Sequence, residues 1–363
     1  MIDGDAQRGV GNVGAGRLVV PDERWEQGSD FHLTFETGGT VLPWSLLPHT
    51  LWGSGRDALR ALVAWGRSVH RWRRILVPTY YCHEVIEPLF GELEVSSYEH
   101  APTSPATSPV DASNGDVVLV VALFGMPPAP AVAGRAVVIE DHTHDPLSSW
   151  SADSRADYAF ASLRKTLPLP DGGVLWSPRG LDIAPERPVT LDHDRAAFQR
   201  LWAMTLKRHY LGGGQVTKEE FRSLAIDGER GMSQGDISGI SSFSLSRLPT
   251  MPAASWRSAR AVNLRAFRAA LGELPAVTVL DAPFAATLVF DTPRLRDRVR
   301  DSLIAARIYP SVLWSLDEPG VSGVPASHVE LARCILSIHC DYRYDPADMA
   351  RVARAIRNVL GAL

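Results

Sequence analysis

The sequence predicts an α/β protein: a large domain with a mostly parallel sheet flanked by helices, followed by a small C-terminal α+β domain. Three observations carry that expectation. Short β-branched runs, among them Ile75-Leu76-Val77 and Val117 to Phe124, are separated by stretches with helical spacing or turn composition. The runs are apolar almost throughout, as strands covered on both faces are. After Pro275 the order becomes strand, helix, strand, helix, which fits a smaller unit.

Residues 1–30 are Gly-rich and aperiodic, and are expected to form an N-terminal arm ordered against a partner subunit. From Gly53 the pattern is regular. Gly53-Ser54-Gly55 opens a helix over Arg56 to Ser68, whose apolar residues are Ala58, Leu59, Leu62, Val63 and Trp65. The strand Ile75 to Val77 ends at Pro78. A helix over Glu84 to Phe90 follows, then strands over Glu94 to Tyr98, Val117 to Phe124, Ala136 to Glu140, Tyr158 to Ser162 and Gly173 to Ser177. The Ser-, Thr- and Pro-rich stretch from Thr103 to Pro109 reads as a surface loop. Residues 194–248 read as mostly polar helix broken at Gly212-Gly213-Gly214, and Ala253 to Leu271 as a long connecting helix dense in Arg. The small domain then holds a strand (Ala285 to Phe290), a helix (Pro293 to Ala306), a strand (Leu336 to His339) and a final helix (Pro346 to Leu360). The expected division is an arm over 1–30, a large α/β domain over 31–250, and a linking helix with the small domain over 251–363.

Composition narrows the function classes. The 363 residues allow two domains at about 150 residues each. With 45% apolar and 21% charged residues the chain is ordinary globular protein. Lys plus Arg at 37 against Asp plus Glu at 41 gives a net charge of −4, so no broad positive field gathers nucleic acid phosphates. The longest apolar run, Val117 to Phe124, falls well short of the roughly 20 residues a membrane-crossing helix needs. No apolar leader follows the acidic N-terminus, and a cytoplasmic address is expected. Three cysteines (Cys82, Cys334, Cys340) without paired spacing argue against a disulfide framework or a zinc knuckle, so reduced thiols are expected.

Four constellations bear on chemistry. Ser162-Leu163-Arg164-Lys165 closes a strand where an α/β sheet presents its loops to a ligand. The strand Val137 to Glu140 runs into Asp141-His142-Thr143-His144. Gly53-Ser54-Gly55-Arg56-Asp57 opens a helix whose free N–H groups can hold a phosphate. Tyr80-Tyr81, with His83, follows a strand and offers a flat ring. Each alone has an ordinary alternative: a solvated lysine, a turn or cap by Asp141, plain helix capping at Ser54, core packing for the tyrosines. In this chain order they are also the parts of a pyridoxal 5'-phosphate site: phosphate cradle, aromatic plate, acid for a ring nitrogen and lysine for an imine.

On those residues the chain resembles fold-type I pyridoxal phosphate enzymes, most closely the sugar aminotransferases of the DegT/DnrJ/EryC1/StrS family, from about Gly53 to the C-terminus. The motifs carrying it are Ser54 to Leu59, Pro78-Thr79-Tyr80-Tyr81, Ile139 to His144, and Ser162 to Lys165 leading to Asp171-Gly172-Gly173. Ile308-Tyr309-Pro310 through Leu313-Trp314, Leu336-Ser337-Ile338 and Tyr344 to Asp348 resemble the family's small domain. The resemblance implies that Lys165 forms the internal aldimine and that Asp141 pairs with the pyridinium nitrogen. These are the two expected catalytic residues. It implies further that Gly55, Arg56 and Ser162 hold the phosphate, that His144 touches the ring hydroxyl, and that Tyr81 stacks on the ring, with Tyr80 and His83 as alternatives. Two departures stand out: Arg56 occupies a place usually given to a small or hydroxylated residue, and Ser162 precedes Lys165 by only three positions.

The arginine that clamps a substrate carboxylate in amino-acid enzymes of this fold is missing before Ser337, and Arg343 is the candidate substitute. That absence favours a keto-sugar or other small carbonyl acceptor, with glutamate or glutamine as amino donor by resemblance. The family implies a homodimer with a shared active site, to which Lys218, Ser241, Ser242 and Asn263 are candidate contributors. On the same site a lyase, decarboxylase or aldolase, or a non-catalytic cofactor-binding regulator, are alternatives, because the bond held perpendicular to the ring decides the reaction. Two rivals come from other classes. Ser162-x-x-Lys165 matches a serine-nucleophile motif, but its Ser-Asp-Asn and Lys-Thr-Gly companions are missing from the sequence. His142, His144 and Asp145 would begin a metal site that needs a distant ligand such as His193, His209 or His339.

Overall fold

The computed structural model describes residues 18–103, 108–318 and 320–361. The chain enters its main sheet at β1 (His49–Trp52) and turns at Gly53-Ser54 into α1 (Gly55–His70). Ser54 caps this helix, its hydroxyl accepting from Asp57 N (3.1 Å) and donating to Asp57 Oδ2 (2.8 Å). The buried Ala58, Leu59, Leu62 and Val63 fix α1 on the sheet. β2 (Arg74–Pro78), α2 (His83–Ile86) and β3 (Glu94–Tyr98) follow. β4 (Val110–Ala112), β5 (Asp116–Val121) and β6 (Val132–Gly134) come next, β4 and β6 pairing apart from the sheet. β7 (Val137–Asp141), α3 (Ser149–Ala152), β8 (Tyr158–Ser162) and β9 (Gly173–Trp176) complete a seven-stranded sheet of order β1-β9-β8-β7-β5-β2-β3. Pairings from β3 through β8 are parallel, and those of β9 with β8 and β1 are antiparallel.

α4 (Leu191–Leu211) and α5 (Lys218–Gln234) form a helical hairpin across the Gly212–Gly214 break, and a capping box between Thr217 and Glu220 starts α5. α6 (Ser242–Arg247) leads to α7 (Ala253–Leu271). Beyond lie β10 (Val277–Val279), β11 (Ala286–Phe290), α8 (Pro293–Ala305), α9 (Ala326–Cys334), β12 (Ile335–Ile338) and α10 (Pro346–Gly361), with a three-stranded antiparallel sheet β10-β11-β12. A second core joins Phe267, Phe290, Leu303, Ile338 and Ile356.

Differences from expectation are local and have causes. The strand expected to reach Phe124 ends at Val121, because Leu123–Gly125 makes a tight 3₁₀ turn with Phe124 at φ 51°. The helix expected over Glu84 to Phe90 is α2 plus a 3₁₀ turn whose change of pitch comes with Pro88. Residues 18–30 do not stand away as an arm. Trp25 is buried in the second core with its Nε1 donating to Asp348 Oδ1 (2.8 Å), and Gln27 Nε2 donates to the His339 carbonyl (2.7 Å). The rest of the expected arm, residues 1–17, and residues 104–107 of the Ser/Thr/Pro loop lie outside the described residues. All three cysteines are free thiols. Among the described residues no helix is long and apolar enough to cross a membrane.

Candidate active site

Parallel strands gather their last residues along one edge of a sheet, where the connecting loops leave a crevice. Here Val121, Asp141 and Ser162 end β5, β7 and β8, and all three line a cavity of about 450 Å³. The N-terminus of α1 faces the same cavity through Gly55 and Arg56. It is pressed there because glycines meet it: a Cβ on Gly55 would lie 2.9 Å from Ser162 Cβ, and one on Gly173 would lie 2.2 Å from the Ser54 carbonyl oxygen.

Asp141 is buried, accepting from the Tyr81 hydroxyl at Oδ2 (2.5 Å) and from Thr143 N at Oδ1 (2.8 Å). Burial pushes its carboxyl above the ordinary carboxylate range. Ser162 N donates to Thr143 Oγ1 (3.0 Å), while its hydroxyl has no partner among the described residues. The amides of Gly55 and Arg56, first in the helix, have no acceptor within it. His144 Nδ1 accepts from Phe124 N (3.1 Å), and its ring stacks on Phe284 (4.4 Å) and Trp314 (5.5 Å). Burial, with the charges of Lys165 and Arg260, pushes His144 down to about 3. The ring is therefore neutral and Nε2 carries its proton.

Lys165 ends a 3₁₀ turn directly after β8. Protein surrounds the side chain, yet it is bare toward the cavity, and Nζ has no hydrogen bond or ion pair among the described residues. The positive charge of Arg164, then burial, with Arg200 adding, pushes Lys165 down to about 8.

The structure thus brings Gly55, Arg56, Tyr81, Asp141, His144, Ser162 and Lys165 to one cavity. It does not bring His83 or Arg343 there. His83 Nδ1 accepts from Gly320 N (3.2 Å), outside the cavity lining. Arg343 is held by Asp341 (2.7 and 2.8 Å) and binds the carbonyls of Gly28 and Asp30, so it supports the wall that carries Ser29, Asp30 and Phe31 instead of clamping a ligand. Tyr80 is wholly buried, donating to the Leu313 carbonyl (2.8 Å). Tyr81 lies edge-on to Trp314 (5.7 Å, 74°) while bonding Asp141. The candidate partner contributors are engaged within this chain. Lys218 bonds Glu26 (2.5 Å), Ser241 bonds Asp171 (2.7 Å), and Asn263 bonds the carbonyls of Cys340, Asp341 and Tyr344; Ser242 begins α6.

Sequence reading gave no role to four further cavity groups: Arg164, Arg200, Glu229 and Trp314. Glu229 on α5 binds Arg164 (2.5 Å) and Arg200 (3.0 Å) and lies 3.9 Å from Arg56. Arg164 and Trp314 stand inside the motifs Ser162 to Lys165 and Leu313-Trp314, whereas Arg200 and Glu229 carry only helical spacing as a signal, since α4 and α5 reach the cavity through tertiary packing. For the metal rival, His142 Nε2 bonds Glu140 (2.8 Å) while His144 is taken up by stacking. Among the described residues no three His, Cys, Asp or Glu side chains converge to hold an ion.

No protein-family model matches the chain. No curated protein matches it either. Solved structures do. Helicobacter pylori PseC, an aminotransferase involved in the biosynthesis of pseudoaminic acid, superposes with a TM-score of 0.59 at 9% identity, over 93% of this chain and 100% of that one. The sugar aminotransferase CalS13 from Micromonospora echinospora gives 0.52 at 16% identity, over 85% and 87%. Spr1654 from Streptococcus pneumoniae, in a PLP-form, gives 0.54 at 12% identity, over 90% and 92%. The chain has the fold of these aminotransferases. In this fold-type I arrangement, Lys165 and Asp141 sit at the strand ends that face the crevice.

Proposed function

We propose that the protein is a pyridoxal phosphate-dependent aminotransferase of the DegT/DnrJ/EryC1/StrS kind. It moves an amino group from glutamate or glutamine to a keto-sugar or other small carbonyl acceptor in a biosynthetic route. The observation that carries this reading is the meeting of a bare lysine, a buried carboxylate, an unpartnered serine hydroxyl and a free helix N-terminus in one cavity. The fold supports it as well.

The residues present fit the cofactor. The hydroxyl of Ser162 and the amides of Gly55 and Arg56 would hold its phosphate, where the helix dipole favours a negative group. Asp141 would pair with its ring nitrogen, and the neutral His144 would offer Nε2–H to its ring hydroxyl. When bound, pyridoxal phosphate supplies a carbonyl that condenses with amines and a ring that withdraws electrons from the substrate carbon. Lys165 then acts as base and acid: near pH 8 its Nζ is half protonated, so it takes a proton and returns it with little cost. Trp314, Phe284 and Phe31 wall the site and keep water from the reacting carbon.

The working unit in this reading is a cytoplasmic homodimer. Phe198, Trp202 and Ile226 on α4 and α5 are large apolar side chains left exposed, and Ile226 also lines the cavity. Activity is tested by incubating the cofactor-loaded protein with glutamate and then with carbonyl acceptors, following 2-oxoglutarate and the aminated product. Release of one 2-oxoglutarate per site with glutamate alone, becoming continuous once an acceptor is aminated, supports amino transfer. Carbon dioxide release or carbon–carbon cleavage overturns it in favour of a lyase.

A further inference from the structure

The cavity holds more positive charge than one cofactor phosphate accounts for. Arg56, Arg164, Lys165 and Arg200 gather round the carboxylate of Glu229, while Glu84 reaches only Arg56, at 3.9 Å. Oε1 of Glu229 takes the Arg164 guanidinium (2.5 Å) and Oε2 takes that of Arg200 (3.0 Å). Each arginine thus takes one oxygen of the same planar carboxylate through a charge-assisted N–H···O bond, the kind of bond guanidinium groups make with carboxylates. The protein's own side chain therefore reports what these arginines are spaced to hold. A second observation points to a ligand: the Arg164 side chain is about nine-tenths buried, lines the cavity, and leaves its Nε without a partner. An orphaned buried guanidinium N–H is costly unless something else supplies an acceptor.

Resting on the aminotransferase reading, we propose that Arg164 and Arg200 are the clamp for the α-carboxylate of the amino donor, and that Glu229 is a resident stand-in which the donor displaces. The placement suits the chemistry. Arg164 immediately precedes Lys165, and the α-carboxylate is attached to the carbon whose amine is exchanged at that lysine. The clamp also takes the place of the arginine missing before Ser337, and Arg343 is engaged with Asp341. Glu229 is free to act this way because it is carried by α5, which lines the cavity at Arg222, Ala225, Ile226 and Glu229, one helical stripe. Burial alone would raise its carboxyl, but Arg164, Arg200, Lys165 and Arg56 together hold it at about 2, so it competes as a full charge at any working pH.

The test is calorimetric binding of glutarate, a dicarboxylate without an amine, to the protein with and without pyridoxal phosphate. Glu229→Gln removes the competitor and is expected to tighten glutarate binding about tenfold or more, and Arg200→Gln to abolish it. Glu229→Asp, which keeps the charge but shortens the reach, gives a smaller gain in the same direction and guards against a Gln variant that folds poorly. Unchanged or weaker glutarate binding by a folded Glu229 variant overturns the proposal. Tighter inorganic phosphate or cofactor binding without a gain for glutarate overturns it too, assigning the arginines to the cofactor phosphate. If the protein takes no cofactor at all, the aminotransferase reading fails while the glutarate titration of the cofactor-free protein still reads the clamp.

Discussion

Lys165 is unusual because its charge is opposed from the adjacent position in the chain. Arg164 and burial bring it from 10.5 to about 8, so the fold favours the neutral amine that can attack a carbonyl. The sign gives a prediction. Below about pH 8 the amine is mostly protonated, so the rate at which cofactor-free protein captures pyridoxal phosphate rises with pH and levels above that point. An unshifted lysine would keep accelerating toward pH 10. Arg164→Gln removes the largest opposing charge and moves the midpoint upward. Lys165→Ala is expected to stay folded, as its circular dichroism would record, and to lose the yellow absorbance and all turnover. Asp141→Asn keeps its bonds to Tyr81 and Thr143 within reach, so it is expected to bind cofactor while turnover falls by about two orders of magnitude.

At the scale of elements, the site depends on how closely α1 approaches β8 and β9. Gly173→Ala would set a Cβ 2.2 Å from the Ser54 carbonyl oxygen and 2.6 Å from Gly55 N, so α1 must retreat from the crevice. A loss of about 1–3 kcal/mol in stability is expected, with a weaker cofactor affinity in the same titration. Much of this element order was legible in the sequence, because buried strands and amphipathic helices carry their periodicity locally. The positions of Asp141 and Lys165 were legible for the same reason, Asp141 closing a strand and Lys165 following one where apolar residues give way to polar ones, while their roles came from the family resemblance. The four-residue β1 was not, since a run as short as His49–Trp52 becomes a strand only by pairing with β9. Nor were Arg200 and Glu229, which meet Arg164 only because the α4–α5 hairpin folds back over the strand ends. His83 was misplaced for a related reason: its ring is captured by Gly320, from a segment far along the chain.

Over the whole molecule, the N-terminal segment and the C-terminal core are tied by Arg343. Its guanidinium binds Asp341 and reaches the carbonyls of Gly28 and Asp30, while its flat face lies over Phe31 (4.3 Å). Arg343→Met leaves Asp341 buried and unpaired and is expected to cost about 3–5 kcal/mol in a denaturant titration. Burial alone would raise Asp341, but Arg343 outweighs it and holds the carboxyl at about 2, below its ordinary 3.8. The pair's contribution is therefore complete above about pH 4 and fades as pH falls toward 2. The exposed Phe198 and Trp202 carry the prediction for assembly: sedimentation gives a dimer, and Trp202→Glu shifts it toward monomer. The central claim is that one cavity holds pyridoxal phosphate on Lys165 for amino transfer, and an absorbance spectrum tests it most directly. The purified protein with added cofactor should turn yellow, bleach with glutamate and regain its colour with a carbonyl acceptor. A protein that stays colourless, or a Lys165→Ala variant that colours and bleaches as the wild type does, contradicts the account.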